Sequence, residues 1–211
     1  DNPTLVSTLE GFPIKQVVCG YNHTAALSDE GYVFTWGSGG TMFNAGALGH
    51  GDKEHQATPV VVDYLYDNGI KIKKLCSGCH FMLALAENGD LYSWGRGEYV
   101  PPHFAALMRG RLGNAEQPDE LSPKKADLSS LCGKIVDVAA GHTSCMLLNE
   151  DNTVFTWGRD DDSQLGHGQS LSLDSYAIDT TPTPVKLPED GGNIGMTAGV
   201  CELLEYARQK E

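Results

Sequence analysis

The strongest constraint on this chain is that it says one stretch three times. Trp36, Trp94 and Trp157 each have a glycine sixteen residues earlier (20 to 36, 78 to 94, 141 to 157) and another directly after, Gly37, Gly95 and Gly158. Between these markers the copies run in step, without gaps. Apolar pairs fall at Ala26-Leu27, Ala84-Leu85 and Leu147-Leu148, and turn pairs at Glu30-Gly31, Asn88-Gly89 and Asp151-Asn152. A short alternating run then ends on the tryptophan: YVFTW, DLYSW, TVFTW. Two runs of small, β-branched and aromatic residues flanking a pair suited to positive φ predict a β-hairpin. The hairpins are expected around 17–37, 75–95 and 138–158. The period is 58 residues (36 to 94) and then 63 (94 to 157), which suits one four-stranded propeller blade with its loops.

A second signature follows each Trp-Gly: Leu48-Gly49-His50-Gly51, Leu112-Gly113-Asn114 and Leu165-Gly166-His167-Gly168. A proline-marked strand comes next, at Thr58-Pro59-Val60, Ser122-Pro123 and Thr183-Pro184-Val185. Glycine suits tight turns there and proline suits strand starts or edges. The distance from Trp to the Leu-Gly varies: 12 residues (36 to 48), 18 (94 to 112) and 8 (157 to 165). The scaffold leaves these insertions free, and binding tends to sit in such loops. The opening residues, with Pro3, resemble the end of a blade whose earlier strands are absent, followed by a strand into Gly20. Repeats therefore occupy 1–200. The tail at 201–211 is either an amphipathic helical end or the start of a further repeat.

A formal charge of −13 repels phosphate and anionic lipid, which weighs against nucleic-acid partners. Arg96, Arg109 and Arg111 make the one basic cluster, read as a solvated loop. No apolar run is long enough to insert into a membrane, and the first residues carry no signal-peptide pattern. The six cysteines read as small buried residues of an intracellular protein rather than a disulfide framework. Cys76-Ser77-Gly78-Cys79 has C-x-x-C spacing but overlaps a repeat position, and no second Cys/His pair follows it. Histidines that recur at the blade period, such as His50 and His167, are spread around an axis rather than gathered on one ion. Each is expected to tie its loop to backbone. Asp160-Asp161-Asp162 lacks the glycine and distal glutamate of a calcium loop and reads as a solvated turn. No phosphate-binding, dinucleotide, zincin or hydrolase motif appears. The expectation is no enzyme, no catalytic residue, no metal and no cofactor, with the tryptophans as blade core.

The combined pattern G-x-x-H-T-A-A-L, G-x-[VL]-[FY]-[TS]-W-G, L-G-H-G and T-P-x-V resembles the repeat of the regulator of chromosome condensation family, across roughly residues 3–200. The resemblance implies an all-β fold, a β-propeller of usually seven blades, here incomplete at about three blades plus a partial one. The repeat histidine is retained at His23 and replaced by Phe81 and Ser144. The missing catalytic motifs, the unclosed repeat count and the variable loops point to a non-enzymatic interaction propeller, a scaffold or subunit of a larger assembly whose partners are other protein chains, including the rest of a propeller. Its alternative is guanine-nucleotide exchange on a Ran-like small GTPase, done by binding the empty GTPase better than the loaded one. The insertions after Trp36-Gly37 and Trp94-Gly95 lie where the family places its exchange wedge. Met42, Phe43, Asn44, Tyr99, Phe104 and Arg109 are the partner-binding candidates they carry.

Overall fold

The structure, a computed structural model, describes residues 2–41, 44–97, 119–128, 131, 133–160, 163–168 and 178–186. Three four-stranded antiparallel sheets follow one another along the chain, each a meander whose strands pair in sequence order. The first blade holds β1 (Ile14–Cys19), β2 (His23–Ser28), β3 (Val33–Gly37) and, outermost, β6 (Gln56–Val61). A small hairpin of β4 (Gly40–Thr41) and β5 (Asn44–Ala45) interrupts it after Trp36-Gly37. The second blade holds β7 (Ile72–Ser77), β8 (Phe81–Ala86), β9 (Leu91–Gly95) and β10 (Glu120–Lys125). The third holds β11 (Ile135–Ala140), β12 (Ser144–Asn149), β13 (Val154–Arg159) and β14 (Ile178–Pro184). The inner strand β7 lies between β1 and β11, so three blades fan around one axis as an open arc. The proline strands are the outer ones, where a missing N–H breaks no ladder.

Each tryptophan lies in the second strand of an antiparallel pair, β2–β3, β8–β9 or β12–β13, and the turn between the strands is tighter in specification than the sequence implied. Positive φ falls only on the second residue of each turn pair: Gly31 (+84°), Gly89 (+92°) and Asn152 (+58°). The N–H of that residue donates to the carbonyl of Ser28, Ala86 or Asn149 at 3.0–3.1 Å. Each loop is thus a three-residue turn closed by one left-handed residue. The opening residues differ from expectation. Residues 2–6 form no strand, a 3₁₀ turn covers Ser7–Leu9, and Phe12 packs on Phe34 with ring centroids 4.9 Å apart.

What holds blade to blade is two-sided burial. In β8, alternate residues serve opposite neighbours. Met82, Ala84 and Ala86, with Leu75, Tyr92 and Trp94, pack against Ala25, Leu27 and Val33 of the first blade. Phe81, Leu83 and Leu85, with Leu91, pack against Val138, Cys145, Leu147, Phe155 and Trp157 of the third. That explains why Phe81–Ala86 is buried throughout, where an ordinary antiparallel strand alternates. The short helix α1 (Asp63–Asp67) plugs the first boundary with Leu65.

The repeat glycines answer to the residues packed on them. A Cβ on Gly20 would lie 2.0 Å from the His23 ring, and one on Gly78 would lie 1.9 Å from the Phe81 ring. The side chain three residues on folds back over its glycine, whichever ring it carries. His23 reaches the next blade, its Nε2 lying 3.0 Å from Ser77 Oγ, while its Nδ1 has no partner. Burial, then the neighbouring His80, lower its pKa to about 4.

Two predictions follow from this packing. Gly95, at φ +109°, has backbone where a Cβ would go, 2.6 Å from the His80 carbonyl oxygen, whereas the space around Gly89 is open. Gly95→Ala is expected to cost about 3 kcal/mol or more in urea unfolding, and Gly89→Ala only the ~1 kcal/mol of a left-handed alanine. Equal losses would refute this. Because His23 is held neutral, its contribution is flat above the unfolded pKa near 6.5 and turns destabilising as pH falls towards 4. The loss is bounded at about 3 kcal/mol. His23→Phe, the residue the second blade uses, should flatten the wild-type fall in urea midpoint between pH 6.5 and 4.

Candidate functional site

Both the inner turns and the Trp-Gly loops leave the arc at one end, because His23 pairs with Gly37, Phe81 with Gly95 and Ser144 with Gly158. The turns 28–32, 86–90 and 149–153 close the opposite end. The first end is a rim built identically three times. The inner-turn carbonyl of Asn22, His80 or Thr143 accepts from the N–H after Trp-Gly, at Ser38 (2.7 Å), Arg96 (2.9 Å) or Arg159 (3.1 Å). The glycine of each Trp-Gly makes room for that carbonyl, with φ of +108°, +109° and +111°. The inner turns also link to one another: Tyr21 N–H donates to Cys79 O at 3.0 Å, and Cys79 N–H to His142 O at 3.1 Å.

Below the rim, the inner strands and turns line a cavity of about 570 Å³ on the axis side, walled by Gln16, Val18, Lys74, Cys76, Val138 and His142 among others. Side chains at one register position bridge the blades. The Gln16 amide donates to Leu75 O at 2.8 Å and accepts from Leu75 N–H at 2.9 Å. Lys74, the next in line, makes an ion pair with Asp137. The wall is therefore stitched across the blades, and it carries an amide, the Lys74–Asp137 ion pair, thiols, the His142 imidazole and apolar groups.

The Leu-Gly-His-Gly turns are fastened to their blades by a side chain the sequence reading passed over. Thr35 Oγ1 donates to Leu48 O at 2.7 Å and lies 3.0 Å from His50 Nε2. Thr156 repeats this with Leu165 O at 2.7 Å and His167 Nε2 at 2.9 Å. The hydroxyl proton is spent on the carbonyl, so the ring nitrogen donates. Through these contacts each histidine ties its loop to a threonine of its own blade. Burial lowers the His50 pKa against the raising pull of Asp52 and Asp63. The signal was present as the threonine before Trp36 and Trp157.

Three polar expectations are corrected. Asp160 is buried, and its Oδ1 accepts from Leu165 N–H at 2.8 Å, so it caps the turn instead of lying in solvent. Arg96 is likewise buried. Desolvation lowers its pKa, and Asp119 opposes the shift. Cys19 is exposed, while Cys76, Cys79 and Cys145 are buried free thiols. Cys76 Sγ donates to Val138 O at 3.1 Å, and burial first of all raises its pKa to about 12, which leaves it no thiolate for C-x-x-C chemistry near neutral pH. Trp94 and Trp157 are fully buried and Trp36 is half-buried. Among the described residues no group of three or more His, Cys, Asp or Glu is placed to hold a metal, and no helix is long and apolar enough to cross a membrane.

Of the partner-binding candidates, Asn44 opens β5 in the hairpin that leaves the rim after Trp36-Gly37. Met42, Phe43, Tyr99, Phe104 and Arg109 lie outside the described residues, as do Arg111 and the 201–211 tail.

Comparison with known proteins agrees with this architecture. Two family profiles, each described as a regulator of chromosome condensation (RCC1) repeat, match residues 14–41 and 135–164, and residues 30–85 and 151–200. The human E3 ubiquitin-protein ligase HERC2 is 34% identical over 214 residues, covering 99% of this chain and 4% of that protein. The ultraviolet-B receptor UVR8 of Arabidopsis thaliana is 34% identical over 167 residues, covering 79% of this chain and 34% of the receptor. The chain thus spans a small part of these relatives. In fold it is similar to Prp20p of Saccharomyces cerevisiae, with a TM-score of 0.50 at 20% identity, over 88% of this chain and 53% of that one. Three Trp-Gly hairpins in three four-stranded blades, matched by profile and by relatives, make this chain a member of the RCC1 repeat family of β-propellers.

Proposed function

We propose that the chain is a non-enzymatic protein-interaction propeller, a scaffold or subunit of a larger assembly in an intracellular setting, with its rim loops as the partner-reading surface. The observation that carries this reading is the threefold rim clamp. Each loop is anchored at its root by an identical carbonyl-to-N–H bond over a positive-φ glycine, while the lengths beyond the root differ. A rigid base with variable loops suits recognition, since binding then costs less ordering of the frame. The buried polar groups of the rim serve the fold: Asp160 caps a turn, and Thr35 and Thr156 hold theirs. Free thiols at all four described cysteines accord with a reducing compartment.

A second reading has one comparison behind it. The Prp20p structure is reported together with binding to Gsp1p and histones, and the fold similarity brings to mind exchange on a Ran-like small GTPase. The loops after Trp36-Gly37 and Trp94-Gly95 would be its wedge.

Two loop variants test both readings, Met42→Ala/Phe43→Ala/Asn44→Ala and Tyr99→Ala/Phe104→Ala/Arg109→Ala. Each is expected to keep the wild-type urea midpoint and to weaken a partner identified by cross-linking by tenfold or more, about 1.4 kcal/mol. A partner bound equally by wild type and both variants would refute the rim reading. Release of labelled GDP from a Ran-type GTPase separates the second: no acceleration by the wild-type chain removes it and leaves the first standing.

A further inference from the structure

At the end of the arc opposite the rim, α1 (Asp63–Asp67) joins the outer strand of the first blade to the inner strand of the second, so it rests on two blades that are both in this chain. Leu65 is the residue of the helix that is buried. A helix this short has no stability of its own, and Leu65 with its aromatic neighbours holds it in place. The residues on either side of Leu65 are tyrosines, and helical neighbours two apart leave on different sides. Tyr66 reaches the first blade, its ring centroid 5.3 Å from that of Tyr32. Tyr64 lies towards the second blade, within electrostatic reach of Tyr92. Tyr66 is 54% exposed and Tyr64 42%.

The cluster already shows what such rings hold. Lys71 Nζ lies 3.5 Å from the centroid of the Tyr32 ring, a cation on an aromatic face. Tyr66 offers a like ring beside it, with Asp63 and Asp67 on the same short helix. Asp29 and Glu30 stand in the turn before Tyr32, and Glu87 N–H donates to Lys71 O at 2.9 Å. Among the described residues these carboxylates make no ion pair. Of the cations at this end, Lys71 is engaged by Tyr32 and Lys125 by Asp90 at 2.8 Å, while Lys15 and Lys73 belong to the inner strands. Exposed tyrosine faces with unpaired carboxylates beside them favour one occupant, a cation with a flat and weakly hydrated head group.

We infer that the α1 face is a docking surface for an arginine-bearing segment of a partner protein. One guanidinium lies on the Tyr66 ring and pairs with Asp63 or Asp67, and a second lies on Tyr64. An acidic or phosphorylated segment would be repelled by the same carboxylates. An apolar helix would bury them without a partner, which is costly. The chain's charge of −13 draws a basic partner from a distance. This surface lies at the far end of the blades from the rim loops, so it stands or falls independently of the function proposed above.

The probe is a fluorescein-labelled Arg-Gly repeat peptide, with Lys-Gly and Glu-Gly repeats of equal length beside it, titrated by anisotropy at about 150 mM salt. The arginine peptide is expected to bind the wild-type chain saturably below ~1 mM and about threefold tighter than the lysine peptide, because the guanidinium stacks on the rings. Tyr64→Leu/Tyr66→Leu keeps the charge and should weaken the arginine peptide about tenfold, abolishing its advantage over lysine. Asp63→Asn/Asp67→Asn, both at exposed positions, should keep the urea midpoint and weaken both basic peptides about fivefold, which keeps the test sound if the leucine pair lowers stability. Asp52→Asn/Glu54→Asn, the same charge change at the rim end, should leave all three titrations as they are. Absence of saturable binding, equal affinity for arginine and lysine, or preference for the glutamate peptide overturns the inference. So does an equal loss of affinity in Asp52→Asn/Glu54→Asn, which would mark attraction to net charge alone.

Discussion

Apolar contact between neighbouring sheets is the constraint from which the other features of this structure follow. A sheet buried on both faces needs large side chains in both registers, and β8 supplies them with Phe81, Leu83 and Leu85 on one side and Met82, Ala84 and Ala86 on the other. Fully burying a leucine or phenylalanine contributes about 2 kcal/mol, whereas a hydrogen bond between blades contributes about 1 kcal/mol net. Packing therefore supplies most of the association between blades. The polar bridges, Gln16 to Leu75 and Lys74 to Asp137, fix where along the strands the sheets meet.

The glycines and small polar groups belong to the same logic. Each inner turn must approach the residue after its Trp-Gly closely enough for a 2.7–3.1 Å bond, and only a residue without Cβ leaves the path open. Threonine at the strand centre then ties down the following turn, and that turn receives the neighbouring blade's indole. Sheet, turn and tryptophan thus form a chain of dependencies running from one blade to the next. Function is left to the segments outside it.

How much of this the sequence disclosed depends on whether a signal is local. The hairpins were legible because turn, alternation and tryptophan all fall within seventeen residues of one another. The proline strands were legible as outer strands because proline forbids an inner place. Relations across a blade boundary were not. Val17 and Leu75 look alike in sequence and differ from 57% to 1% in exposure, a difference set by the neighbouring sheet alone. Asp160 and Arg96 looked solvated beside other charges, yet tertiary contacts bury both. The loop candidates at Met42, Phe43, Tyr99, Phe104 and Arg109 rest on position in the repeat, with Asn44 alone placed by the structure.

The meander order of the strands has a consequence for biosynthesis. In each blade every strand pairs with its predecessor, so the first sheet is complete within residues 14–61. Its contact order is low, and such pairing is fast compared with translation at roughly 5–20 residues per second. A ribosome therefore releases this protein one sheet at a time, each docking on the one before. Each new sheet then covers an apolar face of the sheet before it.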